Sequence, residues 1–361
     1  MAVYTTIDNP ELYFQTKLYT GTGSAASITL DGDTDMQPDL VWIKIRSEIN
    51  QQRLLDSIRG ATNELYPDLT SKEETTAQGL TAFDSDGFSL GTDHGFNKST
   101  ATYASWNWKA NGSGSLNEVG SIDSTVSANT TAGFSIVSWT GSGASATIGH
   151  GLSSSPELII VKNRTDSATD WRIGNTVVSG KTMSDGNGYY LEFDTGAIAN
   201  PGSATIWGSP ATAPTSSLFS VGSNNSNNGS SDAMIAYCFH SVQGYSKFGS
   251  YTGNGNADGT FVYTGFSPAF VIVKRTDAAE SWFLYDNKRN AHVGNERYYV
   301  LKPNTSGAEN TTYSDNWQMD FLSNGFKLRT TAGHLNSGNL IYMCFAESPL
   351  VSSTGVPACA R

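Results

Sequence analysis

Pro268-Ala269-Phe270-Val271-Ile272-Val273-Lys274-Arg275 is a proline-led apolar run closed by basic residues, and it reads as a strand. The chain carries the same run twice more, as Pro156-Glu157-Leu158-Ile159-Ile160-Val161-Lys162-Asn163-Arg164 and Pro38-Asp39-Leu40-Val41-Trp42-Ile43-Lys44-Ile45-Arg46. Each follows an aromatic-Thr-Gly-x-Gly turn: Tyr251-Thr252-Gly253-Asn254-Gly255, Trp139-Thr140-Gly141-Ser142-Gly143 and Tyr19-Thr20-Gly21-Thr22-Gly23. A fixed order of elements at a period of roughly 110 to 120 residues means tandem domains, since solenoid repeats are only ~20 to 50 residues long.

Working outward, each copy ends in an aromatic strand: Tyr103–Trp108, Met234–Phe239 and Leu340–Phe345. Short strands, turn clusters and no long alternating helices predict an all-β chain of tandem antiparallel β-sandwiches of lectin-like or jelly-roll type. The expected organisation is an N-terminal arm over 1–16, module 1 over 17–110, a Ser/Gly/Asn-rich linker over 111–132, module 2 over 133–243, module 3 over 244–351 packed on module 2, and a tail over 352–361. The linker composition predicts that module 1 is separable from the rest. The stretch 48–76 tolerates a short helix, limited by Gly60 and Pro67. Asp86-Gly87 and Asn324-Gly325 predict two-residue type I′ hairpin turns, and module 2 lacks that dipeptide.

Composition limits function. A net charge of -11, from 22 Lys+Arg against 33 Asp+Glu, offers no basic surface to nucleic acid. No apolar run approaches the ~18 residues of a membrane span, and no signal peptide is recognisable, so synthesis in a cytoplasm is expected. Of three cysteines, Cys238 and Cys344 hold equivalent positions in modules 2 and 3 and are expected to be buried free thiols; Cys359 is the third.

Asp56 and Arg59 in module 1 match Asp286 and Arg289 in module 3, where they follow Trp282 and Tyr285. Module 2 keeps Trp171 and Arg172 but lacks the acid. An acid and a base three apart can pin a turn as a local ion pair, and beside an aromatic face they can also recognise a polar ligand such as a sugar. These eight residues are the candidate ligand contacts. Lys44/Arg46, Lys162/Arg164 and Lys274/Arg275 fit solvated strand ends or a repeated intersubunit contact with an acidic neighbour. Asp31-Gly32-Asp33-Thr34-Asp35 begins like a calcium loop, but Met36 replaces its glycine and Trp42 its closing Glu. Five scattered histidines show no metal-ligand spacing, and neither a Gly-x-Ser-x-Gly elbow nor a Walker loop is present. No metal, cofactor or catalytic residue is therefore expected.

Together Tyr245–Gly255, Trp282–Arg289, Leu322–Arg329 and Ile341–Pro349 resemble an uncharacterised repeat-domain family of virion and tail-fibre-like proteins of tailed, especially marine, bacteriophages. The resemblance covers about residues 16 to 350. It implies a concanavalin-like sandwich, a structural place on the virion, and no established active site. The expected role is a non-enzymatic tail-fibre or tail-tip protein, with capsid decoration as the alternative and a free lectin or glycan-degrading enzyme as the competing classes. Expected partners are other virion proteins and host-surface polysaccharide, with homo-oligomerisation, preferably as a trimer, in which the arm ties one subunit to another.

Overall fold

The computed structural model describes residues 4–186, 188–202, 205–289 and 294–357. Module 1 holds β1 (Phe14–Thr20), β2 (Ala26–Ile28), β3 (Leu40–Ile45), β4 (Arg53–Asp56), β5 (Asn63–Glu64), β6 (Glu74–Thr75), β7 (Leu80–Asp84), β8 (Gly87–Leu90) and β9 (Thr102–Trp108). Its larger sheet runs β1-β9-β3-β4, and a smaller sheet, β2-β8-β7, packs over it. The alternation of Val41, Ile43 and Ile45 with Leu40, Trp42 and Lys44 on β3 shows why two layers form. The first set packs with Phe88, Leu90 and Phe96 inside the sandwich, while Leu40 and Trp42 face away from it into a second core.

Modules 2 and 3 repeat this plan. Module 2 contains β10 (Ser115–Asn117), β11 (Ser124–Asn129), β12 (Phe134–Thr140), β13 (Ala146–Gly149), β14 (Leu158–Asn163), β15 (Arg172–Asn175), β16 (Leu191–Glu192), β17 (Leu218–Val221) and β18 (Ala233–Phe239). Module 3 contains β19 (Ser246–Asn254), β20 (Phe261–Tyr263), β21 (Phe266–Arg275), β22 (Trp282–Asp286), β23 (Glu296–Arg297), β24 (Met319–Leu322), β25 (Gly325–Leu328) and β26 (Ser337–Pro349). Their larger sheets share the order opening strand, closing strand, proline-led strand and partner: β12-β18-β14-β15 and β19-β26-β21-β22. All strand pairings between these elements are antiparallel, as the sandwich reading requires.

The second core is common to all three modules. Leu40, Trp42, Leu54, Trp106 and Trp108 of module 1 meet Phe134, Leu158, Ile160, Tyr237 and Phe239 of module 2 and Phe270, Ile272, Leu284, Met343 and Phe345 of module 3. Trp108, Phe239 and Phe345 occupy one position of the three closing strands, and Phe345 lies 5.7 Å from Trp108 and 6.1 Å from Phe239, ring to ring. An apolar space of about 40 Å³ remains at the junction, lined from all three modules by residues such as Trp42, Ile160 and Ile272. The modules therefore form a ring around a shared core, and module 1 is not a separable body.

Several local expectations are corrected. Residues 111–132 do not form a linker: β10 and β11 extend the edge of module 2's larger sheet. An edge strand that buries only part of one face needs little apolar content, so its composition imitates a linker. Of the arm, Phe14 opens β1 and stacks on Phe345 at 5.1 Å, Ile7 is buried in the common core, and the Thr5 hydroxyl donates to Gln243 O. The arm is thus tied down within its own chain. The stretch 48–76 supplies β4, β5 and β6 and no helix. The β7–β8 and β24–β25 hairpins form, but their two-residue loops are Ser85-Asp86 and Ser323-Asn324, and of the two glycines only Gly87 has positive φ, at 100°. Glycine is needed there for another reason: a Cβ on Gly87 or Gly325 would lie 2.0 Å from Ile28 O or Val262 O of the neighbouring strand. In module 2, β17 pairs only with β13 among the described residues.

Candidate functional site

Asp56 ends β4, and its Oδ1 accepts the backbone N–H groups of Ile58 and Arg59, a carboxylate cap that turns the chain after the strand. Its Oδ2 accepts Arg59 Nε at 2.5 Å and the Tyr237 hydroxyl of module 2 at 2.7 Å. Asp286 repeats the design in module 3: Oδ1 takes the amides of Lys288 and Arg289, and Oδ2 takes Arg289 Nε at 2.5 Å and Trp106 Nε1 of module 1 at 3.0 Å. Tyr237 and Trp106 hold equivalent places on their closing strands, so the acid of one module is satisfied by the next.

The ion pairs continue outward across the same seams. Arg59 Nη1 lies 3.0 Å from Glu73, which receives a two-point contact from Arg164 of module 2 at 2.8 and 2.9 Å. Likewise Arg289 Nη1 lies 2.7 Å from Glu309, which receives Arg46 of module 1 at 2.8 and 3.0 Å. Burial pushes the Glu73 carboxyl up, but Arg164 and Arg59 outweigh it and hold the group below the usual carboxylate range. Two of the three strand-end arginines, Arg46 and Arg164, thus contact an acidic neighbour, but between modules of one chain.

The seam between modules 2 and 3 has none of this. Asn175 stands for the acid, Val178 for its arginine, Ala199 for the glutamate, Met343 for the aromatic donor and Thr276 for the strand-end arginine. The equivalences follow from the backbone, because Ala199 N donates to Thr276 O as Glu73 N does to Arg164 O and Glu309 N to Arg46 O. Arg275, one residue early, turns to Asp277 at 2.7 Å within its own module. All five positions change together because a single charge left in a dry seam is costly, whereas an apolar replacement of the whole network is not.

Other contacts persist in all three seams. The Lys44 ammonium donates to Asn50 O and to Ser306 O of module 3, Lys162 to Thr169 O and to Thr70 O of module 1, and Lys274 to Arg275 O and to Gly196 O of module 2. Burial lowers each lysine to about 8. Trp171 Nε1 donates to Tyr66 O at 2.9 Å, Trp282 Nε1 to Glu192 O at 2.9 Å, and Gln52 Nε2, at the same position in module 1, to Lys302 O at 2.9 Å.

The residues expected to form a ligand platform are therefore buried, six of them at the seams of the ring and Tyr285 and Arg172 within their own modules. Trp171, Tyr285, Asp56 and Arg59 are buried, as are Trp282, Asp286, Arg289 and Arg172. Arg172 pairs with Asp170 and Glu192 and stacks over Tyr190 at 4.5 Å. Aromatic residues beside ion pairs suit a protein seam as well as a sugar, and here the seam covers them. Tyr285 fills the module 3 sandwich. The Asp31 carboxylate pairs with Lys17, Asp86 accepts from Met36 N, and Asp93 caps a short helix, so the acids near the calcium-like stretch are spread over separate roles. Among the described residues no group of three or more His, Cys, Asp or Glu is arranged to hold a metal ion. Cys238 and Cys344 are buried free thiols, with burial raising both; Cys359 and His292 lie outside the described residues.

Sequence reading missed one triplicate device. The short helices α1 (His94–Asn97), α2 (Asn225–Asn228) and α3 (Gly333–Asn336) each end in a buried asparagine that clamps the Thr-Gly-x-Gly turn. Asn97 accepts from Thr22 N and donates to Ser24 O and Gly91 O; Asn228 does so with Ser142, Ala144 and Gly222, and Asn336 with Asn254, Asn256 and Thr330. The first turn glycine lies so close that a Cβ on Gly21 or Gly141 would stand 2.1 Å from Lys98 O or Gly229 O.

The fold thus defines a class: three β-sandwiches closed into a ring by head-to-tail contacts within one chain. Residues 9–349 match a family model described as a domain of unknown function (DUF7483), and the chain belongs to that family. The match spans all three modules, so the family unit is the ring and not the single sandwich. No curated protein matches the chain.

Proposed function

We propose that this chain is a non-enzymatic structural and attachment protein of a bacteriophage particle, carried on the tail as a fibre or tail-tip component. One observation carries the non-enzymatic part: the polar groups that recur in the copies are consumed by contacts between modules. Asp56, Asp286, Arg59, Arg289 and the three strand-end lysines all act on the ring itself. A rigid body with its recurring chemistry turned inward acts through its outer surface. The sequence resemblance to virion proteins supplies the particle. A ring built of head-to-tail contacts also provides within one chain what a homotrimer provides with three.

The test is to purify particles from cells that express the chain in its native genome. Copurification at a fixed number of chains per particle, with label on the tail, is expected. Absence from purified particles, or release of reducing ends from polysaccharide by the pure protein, overturns the reading.

A further inference from the structure

The three modules share one buried-lysine contact at every seam and differ most on the outer faces of their smaller sheets. On module 3 that face carries a cross-strand row, Phe261–Lys327–Asp320–Glu296, set by the pairing of β20, β25, β24 and β23. Tyr263, two residues along β20, shares the face with Phe261, and their side chains are 53% and 42% exposed. The corresponding positions are Ser27, Ser89 and Ala82 in module 1 and Thr147 and Ser220 in module 2. In module 2 the face is also partly covered, because Ser121 bonds Thr147. Where the other copies carry small residues, this copy alone carries two large exposed rings and a charged network.

The parts of this face are held in place. The Tyr4 hydroxyl spends its proton on Gly265 O at 2.8 Å and so accepts from the Tyr263 hydroxyl at 3.2 Å, which fixes the Tyr263 ring from the N-terminal arm. Asp258 bridges Lys327 at 2.7 Å and Arg329 at 3.5 Å, and Arg329 Nε binds Asp320 at 2.6 Å. Against the charged part of the row opens a polar cleft of about 510 Å³ whose lining includes Ala257, Glu296, Asp315, Gln318, Asp320 and Arg329. That volume falls in the ordinary range for small-ligand sites. With strands about 4.8 Å apart, the row spans about 14 Å from Phe261 to Glu296.

From this we infer that the outer face of module 3's smaller sheet is a binding site for a neutral, hydroxyl-rich oligosaccharide. Phe261 and Tyr263 stack on the C–H faces of sugar rings at one end. Carboxylate, amide and guanidinium groups in the cleft take the hydroxyls at the other. Four carboxylates, Asp258, Glu296, Asp315 and Asp320, stand against two cations, Lys327 and Arg329, so the field excludes a polyanionic glycan and favours a neutral one. The inference rests on reading the chain as an attachment protein, but not on where a particle carries it.

The test uses the pure full-length protein with neutral oligosaccharides of hexose and N-acetylhexosamine, and with uronate-bearing oligosaccharides of equal length. Calorimetry and ligand-observed NMR are expected to show binding of the neutral set. Phe261→Ala and Tyr263→Ala should each weaken it about tenfold, with melting unchanged, as loss of one stacked ring implies. Thr147→Ala and Ser27→Ala, on the matching faces, should leave it intact. Preference for the uronate set, no binding of any neutral oligosaccharide, or equal binding by the ring-deleted variants overturns the inference. Absence of the chain from particles would instead remove the virion role and leave this site standing.

Discussion

Asp56 has four hydrogen bonds to one carboxylate, of which one comes from a different module 181 residues away in the chain. Removing it leaves Arg59 in a dry seam with only Glu73, already shared with Arg164, to balance it, so Asp56→Ala should cost about 3–5 kcal/mol in denaturant unfolding. Asn175→Ala, at the matching place in the apolar seam, loses only local turn bonds and should cost about 1–2 kcal/mol. Equal costs would show that the ionic seam is no stronger a constraint than the apolar one. The buried lysines give a pH dependence. Their folded pKa of about 8 lies below the unfolded value of about 10.4, so between these limits the unfolded chain holds more protons and stability rises with pH. Above about pH 10 the sign reverses, because Tyr19, Tyr237, Tyr245 and Tyr251 are raised by burial and keep protons that the unfolded chain loses. Stability measured across pH 7–11 should therefore peak near pH 9–10, and Lys274→Met should flatten the rising limb. The sequence exposed the Asp-x-x-Arg pairs but not their partners. Tyr237 and Trp106 look like any core aromatic of a closing strand, and nothing local records that they point at another module.

Strands and turns were legible where the pattern had length. The proline-led and closing aromatic strands lie where alternation puts them, and the two hairpins form in the expected stretches with each loop one residue earlier than the Asp-Gly and Asn-Gly dipeptides predict. The four-residue helices were not legible, because four residues carry no periodicity, and the asparagine ending each is one amide among many in this composition. Its role emerges only once the turn is seen wrapped around it. Asn97→Ala, Asn228→Ala and Asn336→Ala each remove the partner of one turn N–H and of the carbonyl of Gly91, Gly222 or Thr330, while Ser24 O and Ala144 O keep a hydroxyl donor; each should cost about 2–4 kcal/mol in thermal or denaturant unfolding. A loss below 1 kcal/mol at all three would mean that the turn holds itself. Gly325→Ala tests the hairpin geometry independently of φ. The clash with Val262 O should destabilise by about 1–3 kcal/mol although the backbone there is one that alanine adopts readily.

At the scale of the whole molecule the shared core decides behaviour. Leu40, Trp42, Leu54, Trp106 and Trp108 contribute roughly 2 kcal/mol each by burial, or about 10 kcal/mol, comparable to the entire stability of a domain. Module 1 cut free at residue 110 would expose all five to water and should fail to fold, as one-dimensional NMR of the fragment would show. For the same reason the full chain should melt in one calorimetric transition whose van't Hoff and calorimetric enthalpies agree. Two resolved transitions would mean that the modules unfold separately. The triple period made the number of modules plain from sequence. The common core stayed hidden, since strands buried on both faces look alike whether the second face meets a helix, a partner chain or a sibling module.

A homotrimer must present every surface feature three times. Three copies in one chain are free of that constraint, and the aromatic face of module 3 occurs once per chain. Each chain is therefore monovalent toward whatever that face grips. Firm adhesion then depends on how many chains are displayed side by side, because linked weak contacts multiply into avidity that no single ring supplies.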